Sequence, residues 1–188
     1  LEAAKARGIA VCNVPSYGDH TVAEHTFALM LALSRNIYKS HVRRLRNNFS
    51  IDGLKGFDLK GKTLGVVGTG RIGKHVIQIA KGFAMRVVAY DAFPNEALAQ
   101  EMGFAYVALP ELLAGSDIIT LHTPYLKETH HLINEENIKL VKKGAMLINT
   151  ARGELVDNDA LLWALDNGVL SGCGLDVIEG EELIREEK

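Results

Sequence analysis

The run Gly68-Thr69-Gly70-Arg71-Ile72-Gly73 follows directly on the apolar stretch Thr63–Val67 and opens a helix-like stretch, Ile72–Gly82. In a G-x-G-x-x-G turn at a strand–helix junction, the first glycine permits the tight turn and the second lets backbone approach a pyrophosphate. The third lets helix and strand pack closely, and the helix start offers amides and a positive dipole end. Asp91 ends the next strand-like run, 18 residues after Gly73. A carboxylate there accepts both hydroxyls of an adenosine ribose and repels a 2′-phosphate, which favours NAD over NADP. Arg71 lies inside the loop, where its guanidinium either reaches the pyrophosphate or forms a surface salt bridge.

Three later strand ends also carry chemistry. Leu121-His122-Thr123-Pro124 stops a strand at a proline, and Ile148-Asn149-Thr150-Ala151-Arg152-Gly153 puts a guanidinium at a strand end. Gly174-Leu175-Asp176-Val177-Ile178-Glu179-Gly180-Glu181 puts an aspartate there, with an acidic turn behind it. Arginine is planar, permanently charged and bidentate, so Arg152 suits holding a carboxylate and polarising the carbonyl beside it. The seven histidines offer no metal motif. His20 and His25 are five apart and outside an H-E-x-x-H pattern, and His130-His131 reads as a polar loop approaching a helix. No metal site is expected.

The elements that must position these residues alternate. Strand-like runs occur at Thr63–Val67, Arg86–Tyr90, Asp117–Leu121, Ala145–Asn149 and Gly172–Val177, with Phe104–Val107 a shorter candidate. Helix-like stretches lie near Ile72–Gly82, Asn95–Met102, Leu109–Ala114, Glu135–Val141 and Asn158–Asn167, the last framed by Asp157 as N-cap and Gly168 as stop. Strands of unbroken Val, Ile and Leu imply a parallel sheet covered on both faces. The fold class predicted is α/β, a Rossmann-type doubly wound parallel sheet with helices on both faces. Upstream, Ile9–Val14 reads as a short strand. Thr21-Val22-Ala23-Glu24 reads as a capping box opening a helix that is apolar on nearly every face. Such a helix is expected to be buried on all sides, with a second copy of the chain covering what its own domain does not. Arg43, Arg44 and Arg46 read as a solvated helix end.

Composition narrows the classes. The 188 residues are 47% hydrophobic and 23% charged, which excludes disordered and fibrous chains. A net charge of −2 gives no electrostatic case for a nucleic-acid partner. The longest apolar run, Phe27–Leu33, is far short of the roughly 20 residues that span a bilayer. No membrane partner is expected, and the chain reads as a soluble cytoplasmic protein. Cys12 and Cys173 read as reduced thiols in apolar strands. Leu1 in place of Met, and the charged close EELIREEK, read as cut ends of a longer polypeptide.

The segments VVGTGRIGKHVIQIAKGFAMRVVAYD, HTPYLKETHHLI, LINTARGELVDNDALLWALDNG and GLDVIEGE together resemble the NAD-binding domain of the D-isomer-specific 2-hydroxyacid dehydrogenases, most closely the D-lactate dehydrogenase branch. The resemblance implies residues 1–14 as a remnant of a substrate domain and hinge. It implies 15–181 as the NAD-binding domain, with a dimerisation helix near its start, and 182–188 as the start of a return to the substrate domain. It implies that Gly68, Gly70, Arg71, Ile72 and Gly73 form the pyrophosphate loop and that Asp91 holds the ribose. Thr123, Pro124 and Thr129 would line the adenine side, Thr150 and Ala151 would pass along the cofactor, and Asp176 would lie near the nicotinamide carboxamide. Arg152 matches the substrate-orienting arginine. Glu181 matches the carboxylate that pairs with an acid/base histidine, with Glu179 as the nearby competitor for that role. All seven histidines precede Arg152 and match no such motif, so the chain alone is expected to be inactive. The implied activity is hydride transfer between NAD(H) and a small 2-hydroxy or 2-keto acid, D-stereospecific, in a homodimer. The alternatives are an NAD(H)-sensing dimer of corepressor type, or a formate- or phosphite-oxidising relative.

Overall fold

A computed structural model describes residues 1–14 and 16–181; the expected return to a substrate domain at 182–188 lies outside the described residues. A short helix α1 (Glu2–Lys5) precedes α2 (Asp19–Ser34) and α3 (Ile37–Leu45). The sheet then begins, in the order β1 (Thr63–Val67), α4 (Arg71–Gly82), β2 (Arg86–Tyr90), α5 (Glu96–Met102), β3 (Ala105–Tyr106), α6 (Leu109–Gly115) and β4 (Ile118–Leu121). β5 (Ala145–Asn149), α7 (Asn158–Asp166) and β6 (Leu170–Leu175) complete it. All six strands are parallel, in the order β3-β2-β1-β4-β5-β6. The predicted doubly wound sheet is therefore present. Its order reverses between β1 and β4, where the carboxyl ends of two adjacent strands diverge and leave a crevice.

The central strands are largely apolar, with Thr120 and Asn149 the buried polar exceptions, because the sheet is covered twice. Leu64, Val66, Met146 and Ile148 pack with Phe27 and Met30 of α2 and Val76 and Ile77 of α4. Val67, Ile119, Leu121 and Leu147 face the other layer, with Leu112 and Leu113 of α6 and Ala160 and Leu161 of α7. Asp157 caps α7 as expected, accepting from the amides of Asp159 and Ala160.

Three expectations need correction. The capping box at Thr21 does not form: α2 starts three residues earlier, with Gly18 as N-cap, and the Val22 amide already donates to the Gly18 carbonyl. Thr21 and Glu24 therefore lie inside the helix. Within the single chain, the residues of α2 that are fully covered, Ala23, Thr26, Phe27, Met30 and Ser34, follow one stripe. The expected helix at Glu135–Val141 is reduced to one 3₁₀ turn, Ile138–Leu140. Asn134 and Asn137 account for this, because their side chains take the local amides of Glu136, Asn137 and Asn134 that a helix would direct elsewhere. Finally, Ile9–Val14 is not a strand. It runs exposed, Cys12 included, because no described strand lies beside it to pair with. Cys173 is half-buried on β6, and burial raises its thiol pKa.

Candidate dinucleotide site at the sheet crevice

The glycine loop leaves β1 at Gly68, whose φ of 95° is in the left-handed region; a Cβ there would lie 2.8 Å from the His122 carbonyl on the neighbouring strand end. A Cβ on Gly73 would meet the Gly68 carbonyl oxygen at 2.1 Å, so α4 packs as close to the loop as backbone allows. Gly70 caps α4 with no side-chain partner and open space around it. The first-turn amides are thus left for an outside acceptor.

Asp91 faces this loop. Its Oδ2 accepts from the Thr69 amide at 2.7 Å and the Thr69 hydroxyl at 2.9 Å, and its Oδ1 accepts from the Phe93 amide at 2.9 Å. Burial alone would raise the carboxyl pKa. The bonds from the Thr69 amide, the Phe93 amide and the Thr69 hydroxyl outweigh it and hold the group below the ordinary carboxylate range. The Thr69 hydroxyl also lies 2.7 Å from the Tyr106 hydroxyl. Having spent its proton on Asp91, Thr69 accepts from Tyr106. Asp91 is therefore a permanent anion that also braces the loop.

Across the crevice, a cavity of about 740 Å³ is lined by Arg71, Ile72, Thr123, Pro124, Thr150, Ala151 and Arg152, together with Tyr17–Asp19, Val22, His122 and Tyr125. Arg71 meets the Asp19 carboxylate at 3.5 Å from its Nε, so it both lines the cavity and forms a salt bridge. Thr150 spends its hydroxyl on Thr26 of α2 at 2.9 Å. The Thr123 hydroxyl and His122 Nδ1 are buried without a partner. Burial pushes His122 down to about 4, so it is neutral, while its Nε2 meets Thr120 at 2.9 Å.

The end of β5 is shaped by Asn149, which is buried. Its side chain accepts from the Ala151 amide at 3.0 Å and donates to the Arg152 carbonyl at 2.8 Å, closing a tight turn that presents Arg152. Gly153 then passes the acidic turn so closely that a Cβ would lie 2.1 Å from the Ile178 carbonyl carbon. Arg152 is exposed, donating to the Ala151 carbonyl at 2.6 Å. Glu181 accepts from the Ile178 amide at 3.1 Å, whereas Glu179 turns away to His131 at 2.8 Å. Asp176 sits 3.3 Å from His25. Thr129 does not line the cavity; its hydroxyl donates to the Pro124 carbonyl and accepts from the Leu126 amide, bracing the loop that carries Thr123 and Pro124.

The reading of the residues did not single out Thr69, Tyr106, Asp19 or Asn149. Thr69 and Asn149 stand inside motifs already in view. Tyr106 and Asp19 are brought in only by the folding of distant segments.

A glycine loop with unspent amides, a fixed anion at the next strand end, and unpartnered polar atoms on the facing wall define a dinucleotide-binding α/β domain, and these residues fit NAD. The chain belongs to the family described as D-isomer specific 2-hydroxyacid dehydrogenase, NAD binding domain, which matches residues 27–188. D-lactate dehydrogenase of Escherichia coli (strain K12) is 45% identical over 189 residues, covering 100% of this chain and 57% of that protein. The chain thus spans little more than half the length of that relative. Among solved structures, the pyruvate reductase of Chlamydomonas reinhardtii superposes with a TM-score of 0.92 at 46% identity, covering 100% of this chain and 55% of that one. D-lactate dehydrogenase from Aquifex aeolicus, complexed with NAD and lactic acid, superposes with a TM-score of 0.87 at 49% identity, covering 97% and 55%. Among the described residues, no helix is long and apolar enough to cross a membrane.

Proposed function

We propose that this chain is the cofactor half of a cytoplasmic NAD-dependent, D-stereospecific oxidoreductase acting on small 2-hydroxy and 2-keto acids. Residues 1–14 and 182–188 would lead to a substrate domain, and 15–181 would form the NAD-binding domain. The observation that carries the reading is that Arg152 opens into the same cavity as Arg71, Thr123 and Thr150 of the dinucleotide crevice. When bound, the nicotinamide supplies the hydride donor or acceptor. The first-turn amides of α4 and Arg71 would hold the pyrophosphate, Asp91 the ribose, and Asp176 the carboxamide end. Arg152 would hold the substrate carboxylate through both nitrogens of its fork and polarise the adjacent carbonyl. Glu181, held at the turn by the Ile178 amide, would orient and charge an acid/base histidine. Glu179 is spent on His131, which leaves Glu181 as the carboxylate for that role. The names of the relatives, D-lactate dehydrogenase and pyruvate reductase, favour a short 2-keto acid.

The test is calorimetric titration of the chain with NAD and NADP, followed by NADH oxidation with pyruvate and bulkier 2-keto acids in the full-length protein. Tight NAD binding with turnover of a 2-keto acid supports the reading. NAD binding without turnover of any such acid would point to an NAD(H)-sensing protein instead.

A further inference from the structure

Outside the crevice, His130, His131 and Glu179 offer nitrogen and carboxylate donor atoms that lie within 4.8 Å of one another. Adjacent residues in an extended chain point to opposite sides. Here the chain turns at His131, whose φ is 49°, and the two rings stack with centroids 3.9 Å apart. His131 Nε2 meets Glu179 Oε1 at 2.8 Å. The Asp157 carboxylate lies 3.9 Å from His131 Nδ1, and the Tyr125 hydroxyl lies 3.5 Å from His130 Nδ1. For His131 this puts Glu179 on one nitrogen and a second carboxylate facing the other. An outer carboxylate or hydroxyl on one nitrogen fixes the ring and frees the other as donor. The backbone around the cluster is knitted, with the His131 amide donating to the Glu154 carbonyl and Asn158 donating to the Glu179 carbonyl.

We propose that His130, His131 and Glu179 form a binding site for one divalent transition-metal ion of borderline softness, Zn²⁺ or Co²⁺. Two imidazoles and one carboxylate are a set such ions take in tetrahedral geometry, with water in the fourth position. The ion replaces the proton shared between His131 and Glu179. Bonds of about 2.0–2.2 Å require neighbouring donors roughly 3.3 Å apart, so the 2.8 Å His131–Glu179 pair has to open slightly while the His130 ring closes in and turns out of its stack on His131. Exposed His130 supplies that movement. Asp157, which caps α7 and lies 3.9 Å from His131 Nδ1, would close onto that nitrogen as an outer-shell partner. A bound ion ties the loop after β4 to the turn after β6, beside the segment that carries Arg152.

The experiment uses the untagged chain, titrated with ZnCl₂ by calorimetry and by thermal melting, and with CoCl₂ by visible absorption. One Zn²⁺ per chain, a raised melting temperature and an intense tetrahedral cobalt spectrum are expected. His130→Ala and Glu179→Gln should each weaken binding at least ten-fold. Asp157→Asn, which keeps the helix cap, should weaken it about 10–100-fold, as outer-shell losses do. No saturable binding, or binding that survives both His130→Ala and Glu179→Gln, overturns the proposal; the latter would place the ion at other surface groups. If Glu179→Gln fails to fold, exposed His130 carries the test alone. NAD binding by the chain is measured separately, so the loss of either result leaves the other standing.

Discussion

At the scale of single residues, Asp91 does two jobs, and substitutions separate them. It spends Oδ2 on Thr69 and part of Oδ1 on Phe93, so it shapes the loop before any ribose arrives. Asp91→Ala removes the anion and the brace together. It should weaken NAD binding by about 10–100-fold, the range for hydrogen bonds to a charged group, and narrow the preference over NADP. Asp91→Asn keeps an acceptor for Thr69 and should lose the preference with a smaller loss of NAD affinity. Equal losses from both variants, measured calorimetrically, would mean that the brace has no weight. His122 makes a second prediction. Its folded pKa of about 4 lies below the ordinary 6.5, so the unfolded chain takes up the proton first as pH falls. The stabilisation from keeping this ring neutral is full above about 6.5 and is lost between 6.5 and 4, at most of order 3 kcal/mol. Urea melts of wild type and His122→Asn at pH 7 and pH 4.5 should show their stability difference shifting against the wild type at the lower pH. A constant difference would show that His122 does not titrate as buried.

At the scale of elements, the close approach of Gly153 to Ile178 couples the Arg152 turn to the acidic turn that carries Glu181. Gly153→Ala forces a Cβ to within 2.1 Å of backbone, where no side chain can move to relieve it. We expect destabilisation by at least 1–3 kcal/mol, the usual cost of overpacking, visible as a lowered melting temperature. A variant as stable as wild type would mean that the two turns separate freely. The same scale separates what could be read from the sequence from what could not. Strands β1, β2 and β5 match their predicted limits residue for residue, because a strand covered on both faces is an apolar run with sharp polar ends. The glycine loop and Asp91 were legible because their chemistry lies in spacing along one βαβ unit. The Glu135–Val141 stretch misled because helix and Asn-closed turns share composition, and only the competition for amides decides between them. For Thr129, its place in the motif likewise gave no sign that its hydroxyl bonds the Pro124 carbonyl. The His131–Glu179 pair spans 48 residues and leaves no local trace.

For the whole molecule, the case for a homodimer gains a second surface. The expectation rested on α2, yet Leu29 and Leu33 pack against Gly172 and Gly174 of β6 and Phe27 stacks on Phe83, so the chain covers much of that helix itself. The uncovered apolar surface lies further on, where α3 buries none of its residues. Tyr38, Phe49 and Ile51 are 77%, 77% and 82% exposed, with Ile37 and Leu45 beside them. This segment is not loose. Arg43 donates to the Ser50 and Asp52 carbonyls, and Asn36 reaches the Leu54 and Lys55 carbonyls, so polar groups fix the arm while its apolar side chains point outward. An arm so ordered, with its large side chains in water, fits an interface that forms with little further ordering cost. A second copy of the chain is the simplest partner, because a two-fold axis lets the same patch serve both subunits. Sedimentation equilibrium should give about twice the 20.5 kDa chain mass. Phe49→Asp combined with Ile51→Asp should shift it to the single-chain mass while leaving NAD binding intact, since neither residue lines the cavity at the crevice. A double variant that stays dimeric would move the interface off this arm, and a wild type that sediments as a single chain would remove the dimer altogether.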